Sequence, residues 1–402
     1  MYDGYLTLGG TEILNRARAS AYLESQLRGR VEIKRSDAGL RTALGHGAYS
    51  STDSAPWVTG GRAAGKRFLG LYPGKLIGSE DSTRSVQVTE LTGDGAVMTS
   101  PRYGSAEMRF VATAFALDEE AMEEGMAWLR EALSNDGCSD ADLGCTGQEA
   151  RLFAALPSTT AEATTHTRVF HRVETTEGPR VMTKYPTTAR GFVMWQIEFT
   201  LTAGIPFSFT ALADVATVAM DGASNFQDPA NENCGVTADA YNDYVGDPYF
   251  TGISRPPRPP VILPPNILDI NSWRRRTLSI PASQTLRWGR VVPVVHVSTT
   301  SAVQYLRLRF YQPGKTSCDF DGEFIVSYVP GNSVLTLDAI TREATLKLPG
   351  GKVVPAGHLL FGSDGRPFLW PALGCQHAYS MTADLMPGQS GVAIVLQTAV
   401  RS

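Results

Sequence analysis

Six short constellations in this chain carry residue types that do chemistry elsewhere. Gly388-Gln389-Ser390-Gly391 sets a serine in a glycine-rich turn, as chymotrypsin-like proteases set their nucleophile. The match fails in detail: Gln389 stands where an acidic residue is needed and Val392 where the next glycine is needed. His46 and an acid would also have to converge on Ser390 from the far half of the chain. The pattern predicts a turn before the last strand. Asp319 to Glu323 (DFDGE) places carboxylates at alternate positions beside a glycine, oxygen donors of the kind calcium takes. An EF-hand needs a further ligand before that glycine and flanking helices, and the sequence supplies neither. A solvated turn before a strand is favoured, with a surface Ca²⁺ as the other reading.

Cys138 and Cys145 lie close enough in sequence to pair, and Cys234 sits in a polar stretch that could approach them. Free thiols are the expectation for a chain made in a reducing cytosol, and a loop-tying disulfide is the alternative. His166 and His171 are five apart on an expected strand, so they face opposite sides and cannot chelate together. Trp273-Arg274-Arg275-Arg276 is the one dense basic patch. It could hold an acidic neighbour or nucleic acid, but a charged strand edge that blocks aggregation is the stronger reading. Trp288, Phe368 and Trp370 could stack on sugars, although most aromatics of a β-sandwich are core. No HExxH, CxxC, phosphate-binding loop or dinucleotide fingerprint occurs. No catalytic, cofactor-binding or metal-binding residue is assigned, and no enzyme activity is expected.

The elements around these residues are mostly strands. The chain has 402 residues, 43% of them hydrophobic and 19% charged, with a formal net charge of −4. That length predicts two or three domains, and that balance gives no drive toward nucleic acid or anionic membrane. No apolar run approaches the ~20 residues of a membrane span. The opening MYDGYLTLGG lacks the basic and apolar regions of a signal peptide, so a cytosolic origin is expected.

In the first half, strands are expected at Tyr5–Leu8, Arg30–Lys34, Ser85–Leu91, Glu107–Leu117, Ala150–Leu156, Arg168–Glu174 and Arg180–Tyr185. The cleanest is Phe192–Ala203, where Trp195, Ile197, Phe199 and Leu201 alternate with polar residues. One helix stands out over Asp118–Ser134. Asp118 caps it, Glu119 and Glu120 suit its positive end, and Met122, Met126, Leu129 and Leu133 form one apolar face.

Arg255–Pro265 reads RPPRPPVILPP, with six prolines in eleven residues. It can be neither helix nor central strand, so a polyproline II spacer is expected. The polar run from Asp214 to Gly252 leads into it. Beyond it, strands are expected at Arg276–Ile280, Val291–Ser298, Val303–Tyr311, Gly322–Val329, Ser333–Asp338, Glu343–Leu348 and Gly391–Thr398. Pro330-Gly331 and Pro349-Gly350-Gly351 supply hairpin turns. The fold class is mainly β, ending in a β-sandwich or jelly roll.

Several segments together carry a resemblance. They are GFVMWQIEFTLTAGIPF, TRVFHRVETTEGPRV, the proline-rich joint, WRRRTLSIPASQTLRWGRVVPVVHV, VQYLRLRFY, IVSYVPGNSVLTLDAITREATL and LLFGSDGRPFLWPALGC. The chain resembles the minor tail proteins of long-tailed actinobacteriophages, of the distal tail protein type, over most of residues 100–400. That resemblance implies an N-terminal β-sandwich belt domain with one α-helix (1–213) that closes into a hexameric ring. It implies an extended arm and proline-rich linker (214–265) and a galectin-like C-terminal β-sandwich (266–402). The arm would grip a neighbouring subunit. Implied partners are further copies of the chain, the tail tube protein, and the tail hub, tip and tape measure proteins. Receptor-binding fibres or cell-wall polysaccharide would be met at the outer module. Nucleic-acid recognition, membrane insertion and cofactors are not implied. The location would be the virion tail tip, assembled in the host cytoplasm. The alternative function is a carbohydrate- or receptor-binding tail protein that contacts the host cell wall.

Overall fold

Phe199 lies directly opposite Phe110 on the neighbouring strand, and the two rings stack with centroids 5.2 Å apart. This pair marks the centre of the first of two compact units, Met1–Ala211 and Leu212–Ser402, in a computed structural model of the chain. The structure describes residues 4–27, 38–58, 63–79, 84–90, 92, 94–99, 102–134, 147–185, 191–226, 273–282, 289–315, 320–361, 370–386 and 388–401. The proline-rich stretch, Arg30–Lys34, Cys138, Cys145, Cys234, Asp319, Trp288 and Phe368 lie outside the described residues. The described chain is mainly β, as the sequence predicts.

Unit 1 opens with the hairpin β1 (Tyr5–Leu8) and β2 (Thr11–Asn15), followed by α1 (Arg16–Gln26) and α2 (Ala38–Ala43). Strand β3 (Phe68–Ile77) follows. Then come the short pieces β4 (Arg84–Ser85), β5 (Val88–Glu90), β6 (Ala96–Met98) and β7 (Arg102–Tyr103). The unit closes with β8 (Ala106–Ala116), α3 (Glu119–Ser134), β9 (Gln148–Phe153), α4 (Thr160–His166), β10 (Thr167–Tyr185) and β11 (Val193–Ala203). One antiparallel sheet runs β2-β1-β9-β10-β11-β8-β3. It curls far enough that its two edge strands, β2 and β3, lie against each other. The apolar face of α3 packs on β3, β8 and β10, and Asp118 Oδ1 caps the helix by accepting from Ala121 N at 2.9 Å. A Cβ on Gly125 would sit 2.3 Å from the Phe68 ring, so the helix reaches the sheet only because that position is glycine.

Among the described residues three further α-helices join the expected one. Helix α1 has no apolar stripe, which is why the sequence pattern does not announce it. It buries Ala17, Tyr22 and Leu23 in the core together with its arginines: Arg18 Nε donates to Glu12 Oε1 at 2.7 Å, and Arg18 Nη1 to Tyr22 OH and the Ser54 carbonyl. Burial lowers the Arg18 pKa, but Glu12 and Tyr22 outweigh it and hold the group above its ordinary value. Helix α4 was not expected and takes in His166, which was expected on a strand. Its N-cap Thr159 accepts from Glu162 N, while Glu162 Oε2 accepts from Ser158 N at 2.7 Å and Ser158 Oγ at 2.6 Å. The strands expected at Arg168–Glu174 and Arg180–Tyr185 are one strand, β10, bent by bulges along its pairing with β11.

Unit 2 contains β12 (Ala213–Ala219), β13 (Ser224–Phe226), β14 (Trp273–Ile280), β15 (Arg290–Thr299), β16 (Val303–Tyr311) and β17 (Gly322–Val329). It continues with β18 (Ser333–Asp338), β19 (Glu343–Lys347), β20 (Val353–Pro355), β21 (Leu360–Phe361), β22 (Leu373–Gly374), β23 (Tyr379–Leu385) and β24 (Val392–Arg401). One sheet runs β12-β24-β15-β18-β19-β20, with β22 also on β15, and the other runs β13-β14-β23-β16-β17-β21. Leu308, Phe310, Phe324 and Met381 from the second sheet share one core with Val295, Val297, Leu335 and Ile394 from the first.

Two expectations are corrected here. Pro330-Gly331 is not a hairpin turn: it joins β17 in one sheet to β18 in the other. Pro349-Gly350-Gly351 does join paired neighbours, β19 and β20. The arm expected to begin at Asp214 is instead strand for its first part. Residues 213–219 pair with β24 and residues 224–226 with β14, because Val215 and Val218 pack on the core and Met220 is fully buried in it.

Candidate assembly surface

Taken in turn, the residues singled out by their chemistry are structural. His46 Nδ1 is 2.7 Å from Tyr49 OH, inside a cluster that ties residues 46–57 to α1. Ser390 lies in the turn between β23 and β24, where its carbonyl accepts from Ser301 Oγ at 2.6 Å. The same turn is held by Gly391 N donating to Asp221 Oδ1 at 2.9 Å. Neither side chain makes the nucleophile–base bond that acyl transfer needs.

Of DFDGE, Glu323 accepts from Arg309 Nε at 2.6 Å in a buried pair, so it is committed to arginine. Among the described residues no three His, Cys, Asp or Glu side chains are placed to hold a metal ion. His166 ends α4 instead of lying on a strand, and His171 lies on β10 with its ring edge-on to Phe209 at 5.5 Å. Trp370 packs edge-on to Phe324 against the core of unit 2, at 5.4 Å.

The basic patch is consumed inside unit 2. Arg275 binds Asp384 at both oxygens, through Nε to Oδ1 at 2.6 Å and Nη2 to Oδ2 at 3.0 Å. Arg307 donates twice to the same Oδ2, at 3.0 and 2.8 Å. Arg274 lies 3.7 Å from Asp221. Asp384 is wholly buried. Burial pushes the Arg307 pKa down, the neighbouring Arg309 adds to that, and Asp384 opposes it. Arg275 is thus spent on an internal carboxylate and Arg274 lies beside another, while Arg276 keeps a buried Nε without a hydrogen-bond partner among the described residues.

The surface that remains uncommitted is apolar. Between β3 and β8 lie two short ladders: among the described residues β4 pairs only with β7, and β5 only with β6, as a two-stranded ribbon. Every residue of β5 and β6 is exposed on both faces. Met98 is 70% exposed and Val97 55%, with Val86 and Val88 exposed beside them, while the Tyr103 ring lies edge-on to Phe207 at 5.0 Å. The sequence reading found one side of this ribbon, as Ser85–Leu91. The other side, Ala96–Met98, was legible as a short apolar run after Thr92-Gly93-Asp94-Gly95, a turn composition.

A second uncommitted feature is the edge of β10. Strand β9 accompanies it as far as Val173, and among the described residues Glu174 to Tyr185 pair on one side, with β11. Met182 and Tyr185 are exposed there. A cleft of about 430 Å³ lies between this edge and the start of α3. Glu119, Glu120 and Glu123 line it, with Lys184 Nζ 3.9 Å above the Trp195 ring.

No family model matches the chain, and no curated protein matches it. Among solved structures it is similar to the SPP1 Dit (gp 19.1) protein, described as a paradigm of hub adsorption apparatus in phages infecting Gram-positive hosts. The TM-score is 0.41 and the identity 11%, over 84% of this chain and 95% of that one. It is also similar to chains of the phage p2 baseplate in its activated conformation. With strontium the TM-score is 0.37 and the identity 8%, over 78% of this chain and 90% of that one. With calcium the values are 0.37 and 8%, over 79% and 90%.

Proposed function

We propose that this chain is a structural component of a bacteriophage tail tip, a distal tail protein whose copies form a hexameric ring. The observation that carries this reading is the uncommitted surface of unit 1. An isolated two-stranded ribbon is marginal in water, and an edge strand left open invites pairing. Both features sit on a unit whose own core is complete, so the surplus is surface for another chain. Ring closure joins two different faces of one protomer, and the ribbon and the β10 edge are two such faces. The sequence resemblance to distal tail proteins supports the same assignment.

In this reading unit 1 closes the ring and meets the tail tube protein. The hub, tip and tape measure proteins are its other neighbours. Unit 2 supports host attachment. The protein is assembled in the host cytoplasm and resides in the virion. It does its work by holding other proteins, without catalysis.

The test is the assembly state of the purified full chain. Native mass spectrometry and electron microscopy at micromolar concentration are expected to find six-fold rings. A chain that stays monomeric at high concentration sinks the proposal.

A further inference from the structure

The register at the start of unit 2 changes what the proline-rich stretch connects. On leaving unit 1 the chain pairs at once with β24, in register from Ala213 opposite Thr398 to Ala219 opposite Ala393. A single turn, Met220–Gly222, then carries it across to the other sheet. Met220 is wholly buried in the core shared by the two sheets. Asp221 accepts from Gly391 N, and Asp214 Oδ1 accepts from Gln397 Nε2 at 2.7 Å. The chain then pairs with β14, from Ser224 opposite Arg275 to Phe226 opposite Trp273. Residues 226 and 273 are therefore cross-strand neighbours, and everything between them leaves and returns at one point on one sheet edge.

We infer that residues 212–226 are a strap by which the N-terminal half of the chain completes the C-terminal sandwich. The proline-rich stretch within 227–272 is then an excursion of that sandwich, anchored at both ends, and not the tether between the units. The strap contributes one edge strand to each sheet and a core side chain between them. Cutting the excursion leaves the strap in place, because no ladder bond and no core contact of the strap depends on covalent continuity through 227–272. The C-terminal unit is thereby held by the strap, and cleavage within 227–272 does not detach it.

The experiment inserts a specific protease site between Ile253 and Ser254 of the full chain and cleaves it to completion under native conditions. The two fragments are expected to co-elute as one species and to separate only in denaturant. Elution of the C-terminal fragment alone under native conditions overturns the inference. Hydrogen exchange on the uncut chain gives an independent reading. Amides in 213–219 are expected to exchange at least tenfold more slowly than in a free peptide of residues 212–226. Exchange at the free-peptide rate would equally overturn it.

Discussion

Replacing Asp384 by asparagine is expected to be among the most damaging near-isosteric changes in unit 2. The carboxylate is wholly buried and receives four hydrogen bonds from two guanidiniums. Asparagine keeps the shape but removes the charge. Arg307, 4% exposed, is then a cation in a dry interior with no carboxylate of its own. Removing one partner of a buried ion pair costs about 3–5 kcal/mol. In a unit of this size each kcal/mol moves the melting temperature by roughly 2–4 °C, so a fall of roughly 6–20 °C is expected.

The assay is differential scanning calorimetry of the full chain. Hydrogen exchange in β15 and β24 identifies which transition belongs to unit 2. A companion variant, Arg307→Met with Asp384→Leu, separates lost packing from stranded charge. It leaves only Arg275, whose longer reach to solvent lets it relax outward. The double variant is expected to be more stable than Asp384→Asn alone, because no unpaired charge stays inside. If Asp384→Asn lowers the transition by less than about 2 °C, the carboxylate is not holding two desolvated arginines and the reasoning fails.

Other perturbations test the remaining arguments. Met220→Ala removes a fully buried side chain from the strap and is expected to cost unit 2 about 2–5 kcal/mol, read by the same calorimetry. Val97→Asp with Met98→Asp is expected to leave the melting temperature of the unassembled chain unchanged while abolishing rings in native mass spectrometry. Rings that persist remove the ribbon from the interface. Glu162 has its pKa held below its ordinary value of 4.5, chiefly by the Ser158 hydroxyl and then by the Ser158 amide. A depressed folded-state pKa stabilises above the unfolded value, and that contribution is lost as pH falls through the folded value. The melting-temperature difference between wild type and Glu162→Gln is therefore expected to be constant above pH 5 and to vanish toward pH 3. A difference that grows on acidification contradicts the capping assignment.

How much of this was legible in the sequence depends on whether one local pattern decided the element. Strands β1, β17 and β18 and helix α3 lie where alternation, turn chemistry and a capped apolar face put them. Strand β3 was hidden because FLGLYPGKLI carries glycine and proline inside it. It tolerates both as an edge strand with bulges at Phe68/Gly70 and Pro73/Lys75. Gly70 has φ +98° and lies against the Trp57 ring, so that interruption is itself required. Strand β23 alternates cleanly, with Tyr379, Met381, Ala383 and Leu385 in the core. Asp384 on its other face reads as surface until two arginines from different strands meet it. Strand β12 is weakly apolar and becomes a strand only because β24 leaves an edge open beside it. The misses at β3 and β12 share one cause, that tertiary partners far away in sequence decided the element, whereas β23 was legible from its own alternation.

The same distinction locates the function. In unit 2 the charged side chains that looked like chemistry are spent on one another: Arg275 and Arg307 on Asp384, Arg309 on Glu323. Such residues specify a sandwich and leave no site behind. In unit 1 none of the described residues of the ribbon belongs to the buried cluster. A two-stranded ribbon is marginal by itself in water, and exposed apolar surface of this kind is what the assembly reading assigns to a partner. Its composition narrows what that is. Valine, methionine and tyrosine on a ribbon with open edges suit another protein surface better than a sugar or a phosphate, which require polar or cationic groups placed to converge. The assembly reading therefore rests on where the molecule leaves apolar surface unspent, a property no single motif in the chain displays.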